Sequence, residues 1–143
     1  MAEPHDHPLQ PDQDIEVAAL GYDRGADSAP RLLGRGKGEA AARILQTARE
    51  HGIPFHTDAA QTVGKLPTRV DDLGVDLLSI AGHKLYAPKG VGALYVRQGI
   101  RLEPLIHGAG HEQGRRAGTE SALLATALGE ACALAGDLAT AER

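Results

Sequence analysis

A chain of 143 residues has room for one domain with a real core, not two. Its net charge of −4, with no block of Lys or Arg, argues against a nucleic-acid partner, and no apolar run approaches the ~18 residues of a membrane span. The one cysteine excludes an internal disulfide and fits a reducing, cytoplasmic setting.

Residues 1–36 read as a loose or disordered leader, punctuated by Pro4, Pro8, Pro11 and Pro30 and by Gly21, Gly25, Gly34 and Gly36. Its one apolar cluster, Ile15 to Leu20, is long enough for a short strand. His5 and His7 lack the further ligands that a metal site needs. The leader has no basic region ahead of an apolar stretch, so it is not a signal peptide. Residues 37–143 carry the organised part. Ala41, Ile44, Leu45 and Ala48 recur at helical spacing, and Gly52 stands where a C-terminal cap glycine belongs. Ile53 to Thr57 reads as a short strand, Pro67 to Leu73 as a turn or one helical turn, and Val75 to Ile80 and Val91 to Val96 as two further strands. Residues 101–118, with Gly108, Gly110, Gly114 and Gly118, form a loop of special backbone shape. A long helix starts near Thr119, a good N-cap, and presents Leu124, Ala127, Leu128, Ala131 and Leu138 on one face. The order describes an α/β protein with helices layered on a sheet.

Two residues at strand ends stand out. Lys84 follows a buried strand, within Gly82-His-Lys, where its amine is expected to be desolvated as a Schiff-base lysine requires. A solvated loop cation is the alternative. Asp58 ends the strand before it, and ligands of open α/β sheets bind at the carboxyl ends of strands. If the two strands are parallel, both residues emerge at one rim. A lysine and a carboxylate so placed suit pyridoxal phosphate, the carboxylate keeping the pyridine nitrogen protonated. For Asp58 the alternative is a helix N-cap ahead of Ala59 to Gly64.

Three blocks carry a resemblance. They are His56-Thr-Asp-Ala-Ala-Gln-Thr-Val-Gly-Lys65, Ser79 to Val96 around Gly82-His-Lys, and His107-Gly-Ala-Gly-His-Glu-Gln-Gly-Arg-Arg-Ala-Gly-Thr-Glu120. In this order and spacing they resemble the central blocks of the cysteine desulfurases, within the class V aminotransferase family of fold-type I pyridoxal phosphate enzymes. The Gly-His-Lys variant is also similar to selenocysteine lyases. The resemblance covers residues 38 to about 140. It implies part of a fold-type I large domain, a mixed sheet flanked by helices, in a homodimeric enzyme acting on L-cysteine or selenocysteine and passing sulfur to an acceptor protein. It implies that Lys84 binds pyridoxal 5'-phosphate covalently and moves the substrate α-proton. Asp58 would pair with the pyridinium nitrogen, Gln61 with the phenolic oxygen and His83 with the phosphate. Thr119 would reach the phosphate of the neighbouring subunit's cofactor, a role compatible with capping a helix.

The pattern has gaps. Ala81 stands where many desulfurases carry a phosphate-binding Ser, and Ser79 lies one strand repeat, ~6.6 Å, deeper. The family's upstream phosphate turn and ring-stacking residue are not readable in residues 1–37, nor are the downstream small domain, sulfur-accepting cysteine loop and carboxylate-binding Arg. Cys132, within Glu130 to Ala135, reads as a small residue in or near a helix core and cannot stand in for that cysteine. His107, His111 and Glu112 have helical metal-pair spacing, but Gly108 and Gly110 argue against the helix it needs, so no metal is expected. The chain is therefore expected to be a truncated piece of such an enzyme, inactive alone. A selenocysteine lyase-like fragment and a non-catalytic oligomerisation module are the alternatives. A fragment is expected to leave sheet edges and apolar faces uncovered.

Overall fold

A computed structural model of the chain describes residues 16–23 and 25–141, with side chains through Gly136. The chain divides into two compact units, one ending at Phe55 and one starting at His56.

In the first unit, strand β1 (Glu16–Gly21) pairs antiparallel with β2 (Arg31–Lys37), from Glu16↔Lys37 to Gly21↔Arg31. Helix α1 (Glu39–Glu50) packs on them, and Val17, Ala41 and Leu45 form the core with Ile44 and Phe55 against it. The short strand expected near Ile15 to Leu20 is β1. Its partner was hidden in the expected leader because Gly34 and Gly36 interrupt any alternation. Gly36 is needed there: a Cβ would lie 2.8 Å from the Ala40 carbonyl carbon. The division thus falls at 55/56, since α1 shares its core with the hairpin. His5 and His7 lie outside the described residues.

The end of α1 is as the sequence indicates. Gly52 takes φ 63°, Ile53 N–H donates to the Ala48 carbonyl at 2.8 Å, and Gly52 N–H donates to Arg49 at 3.1 Å. That is a Schellman motif. A Cβ on Gly52 would meet nothing within 4 Å, so only backbone strain opposes a side chain. Gly52→Ala is expected to cost about 1 kcal/mol, read as a lower urea midpoint at unchanged slope.

The second unit holds β3 (His56–Asp58), α2 (Val70–Leu73), β4 (Leu77–Ala81), a 3₁₀ turn (Gly82–Leu85) and β5 (Gly92–Val96). The irregular turn α3 (His111–Gly114) and the long helix α4 (Ala122–Ala141) follow. The sheet order is β3-β4-β5, with β3 parallel and β5 antiparallel to β4. This is the mixed sheet expected. The first strand starts at His56 rather than Ile53, because Pro54 has no N–H to give and pairing opens at His56↔Leu77.

Val75 is buried but precedes β4, since its carbonyl is claimed by a side chain. Arg97 donates to Val75 O through Nη2 at 2.9 Å and Nε at 3.1 Å, to Val70 O at 3.3 Å, and to Asp71 Oδ1 at 3.2 Å. Its side chain is 24% exposed. A lysine cannot reproduce that fork, so Arg97→Lys is expected to destabilise the chain by about 1–3 kcal/mol in urea titration.

Leu85, Ala87 and Ala131 form the second core, with Val63, Ile80, Val91, Leu128 and Ala135 packed against it. Helix α4 therefore covers the face of β4 that carries Ile80, while Leu77, Ser79 and Ala81 line the opposite face. The expected inward face of α4 is correct for Leu124, Ala127, Leu128 and Ala131, and the Leu138 side chain lies outside those described. Two details differ. Ser121, not Thr119, caps the helix, its Oγ accepting from Leu124 N–H at 3.4 Å and its carbonyl from Ala125 N–H at 2.9 Å. Cys132 is exposed, because Ala131 takes the inward position and the next residue turns ~100° away. Leu105 and Leu123 are 90% and 79% exposed and β5 is a sheet edge, the uncovered surface that a partial domain predicts. Among the described residues no helix is long and apolar enough to cross a membrane.

Candidate functional site

The parallel pairing of β3 and β4 puts their carboxyl ends on one rim. Asp58 is the last residue of β3, in register with Ser79, and Ala59 N–H donates to the Ser79 carbonyl at 3.0 Å. Asp58 Oδ1 accepts from Ala60 N–H at 2.9 Å. Asp58 thus caps a turn, with Thr62 and Val63 N–H both donating to Ala59 O, rather than a full helix. Its second oxygen takes no partner among the described residues. Gln61 is exposed on the same turn.

Lys84 leaves the sheet differently from expectation. Its segment is a 3₁₀ turn, whose three residues per turn put Gly82 and Leu85 on one side. These two are buried, while His83 and Lys84 are exposed. The expectation of a desolvated Lys84 amine is therefore corrected: among the described residues its side chain is exposed. No carboxylate lies within 4.0 Å of it among the described residues. Gly82 N–H donates to Val91 O at 3.0 Å and Ala87 N–H to Gly82 O at 3.1 Å, so the turn is pinned at both ends.

Thr119 is exposed on the loop before α4 and makes no hydrogen bond to the other four residues. That loop is held by Arg116, which donates to Gly118 O at 2.6 Å, Ala117 O at 3.3 Å and Glu112 Oε1 at 3.3 Å. Glu112 and Gln113 take left-handed φ of 50° and 59°, uncommon for residues with a Cβ, which confirms the special backbone shape. A backbone N–H bond, ahead of the nearby His111 and Arg116 charges, holds the Glu120 carboxyl below the usual carboxylate range. Sequence reasoning missed His56, whose Nε2 lies 2.8 Å from Ser79 Oγ on the face that carries Asp58. Its place two residues before Asp58 on a strand was the available signal.

An amine, an imidazole, an amide and a half-free carboxylate thus stand at the carboxyl ends of neighbouring parallel strands. Among solved structures, the chain superposes on "SspA in complex with cysteine" with a TM-score of 0.58 at 54% identity, covering 63% of this chain and 26% of that one. A NifS-like protein gives a TM-score of 0.63 at 36% identity, covering 71% and 28%. The family model for aminotransferase class V matches residues 35–142, and the chain belongs to that family. Cysteine desulfurase IscS of Dictyoglomus turgidum is 54% identical over 97 residues, which are 68% of this chain and 25% of the relative. The probable mitochondrial cysteine desulfurase of Dictyostelium discoideum is 57% identical over 94 residues, 64% of this chain and 21% of that protein. The chain thus spans about a quarter of the length of these relatives. Class V aminotransferases are a pyridoxal phosphate-dependent family, and the donor set at this rim fits that group.

Proposed function

We propose that residues 37–143 supply the cofactor floor of a pyridoxal phosphate-dependent cysteine desulfurase, cytoplasmic and homodimeric. The observation that carries this reading is the parallel β3/β4 pair, which sets Asp58 and the Lys84 turn at one rim. Pyridoxal phosphate, when bound, supplies an electron sink that labilises bonds at the substrate α-carbon. Lys84 Nζ would hold the cofactor aldehyde and move the substrate α-proton. Asp58 would offer its second oxygen to the ring nitrogen and hold the proton there, while Ala60 N–H fixes the other oxygen. Gln61 would orient the phenolic oxygen and His83 would take the phosphate. Thr119 hydroxyl, free of the capping role that Ser121 fills, would donate to the phosphate across a dimer. The exposure of Lys84 makes it reachable by a cofactor and leaves its desolvation to surfaces outside this unit.

The substrate is L-cysteine or selenocysteine, with sulfur handed to an acceptor protein. The similarity to SspA in complex with cysteine favours L-cysteine. The purified chain titrated with pyridoxal phosphate tests this reading. A saturable change in visible absorbance at one cofactor per chain is expected, altered by L-cysteine and not by glycerol. A non-saturating change, as free lysines give, would count against it.

A further inference from the structure

The face of the sheet that carries Asp58 also carries His56 and Ser79. Asp58 and Ser79 are register partners on adjacent strands, so their Cα atoms lie side by side at ~4.8 Å spacing. A serine hydroxyl there is within reach of the carboxylate, and an ionised carboxylate is the stronger acceptor. Yet Ser79 Oγ is engaged by His56 Nε2 at 2.8 Å, and Asp58 has only Ala60 N–H.

We infer that His56 is a positioning residue that holds the Ser79 hydroxyl away from Asp58 and so keeps the outer Asp58 oxygen open for the cofactor ring. With its own proton on Nδ1, His56 accepts the Ser79 hydroxyl proton through Nε2, and Ser79 is left with nothing to donate to Asp58. Without the imidazole, the hydroxyl turns to the nearest strong acceptor on its face. That acceptor is Asp58. The cofactor then meets a carboxylate whose free oxygen is already bonded. This inference rests on the assignment of Asp58 to the ring nitrogen, and it makes Ser79 harmful unless His56 is present.

The pattern across single and double variants separates this from a structural role. His56 is exposed, so His56→Ala is expected to fold. In the chain without cofactor, the Asp58 carboxyl ¹³C resonance is expected to move in His56→Ala and to return in the His56→Ala/Ser79→Ala double variant. Pyridoxal phosphate affinity is expected to fall about tenfold in His56→Ala and to recover in the double variant. Loss of a mere strand clamp would leave the double variant as weak as the single one. An unmoved Asp58 resonance in His56→Ala, or a double variant no better than the single, overturns the inference. Should the wild-type chain bind no cofactor, the reading of the site fails, and the resonance comparison still decides the role of His56.

Discussion

Lys84→Ala is expected to abolish a specific covalent label. The wild-type chain, mixed with pyridoxal phosphate and reduced with borohydride, should carry one pyridoxyl group on residue 84 by mass spectrometry. The variant should fall to background. Exposure alone does not explain that outcome, because Lys89 is exposed only five residues on, between Pro88 and Gly90. Lys89→Ala should therefore keep the label. The difference lies in what surrounds each amine. Lys84 sits on a turn pinned by Gly82 N–H to Val91 O and Ala87 N–H to Gly82 O, at the end of the strand parallel to the one that ends in Asp58. On the proposed reading, an amine held on the same rim as the groups that would grip the rest of the cofactor gains effective concentration that a free lysine lacks. Since the Lys84 side chain is exposed, the variant should lose less than about 0.5 kcal/mol of stability. Equal labelling of Lys84 and Lys89 would reduce Lys84 to an ordinary surface amine.

The places of Asp58 and Lys84 at strand ends were readable from the sequence because strand ends and glycine punctuation are local signals. Asp58 closing a strand and Lys84 following another needed only the parallel pairing of β3 and β4 to meet. What was not legible depended on details that local patterns do not carry. A 3₁₀ turn and a loop share the sequence Gly82 to Leu85, but only the turn sorts Gly82 and Leu85 inward and His83 and Lys84 outward. Thr119 and Ser121 are both fair caps, and the choice fell to the one whose hydroxyl reaches Leu124 N–H. Cys132 and Ala131 differ by one step on the same helix, and the phase was set by packing against Leu85 and Ala87. Strand β2 escaped notice because its pattern, Arg31-Leu-Leu-Gly-Arg-Gly-Lys37, neither alternates nor excludes glycine. Its pairing comes from β1.

Gly82→Ala is expected to be a damaging single-methyl change in the second unit. A Cβ at Gly82 would lie 2.8 Å from the Val91 carbonyl oxygen, 3.0 Å from Val91 Cγ1 and 3.2 Å from Leu128 Cδ1. The first of these is backbone and already accepts Gly82 N–H, so it cannot swing aside as a side chain would. Either β5 retreats from β4 or the turn does, at an overpacking cost of about 1–3 kcal/mol. Gly129→Ala gives the contrast. It sits exposed inside α4 with nothing within 4 Å of a new Cβ, and should raise stability by about 0.5–1 kcal/mol. Thermal melts of the two variants should therefore shift in opposite directions. The consequence for the site is separate from the loss of stability. Lys84 is two residues beyond Gly82 on one tight turn, so relief of the clash moves the amine relative to Asp58 on the neighbouring strand. At a temperature where Gly82→Ala remains folded by circular dichroism, its borohydride-trapped label on Lys84 should still fall several-fold. A melt that drops while labelling stays at the wild-type level would show that Gly82 serves the core and not the placement of Lys84.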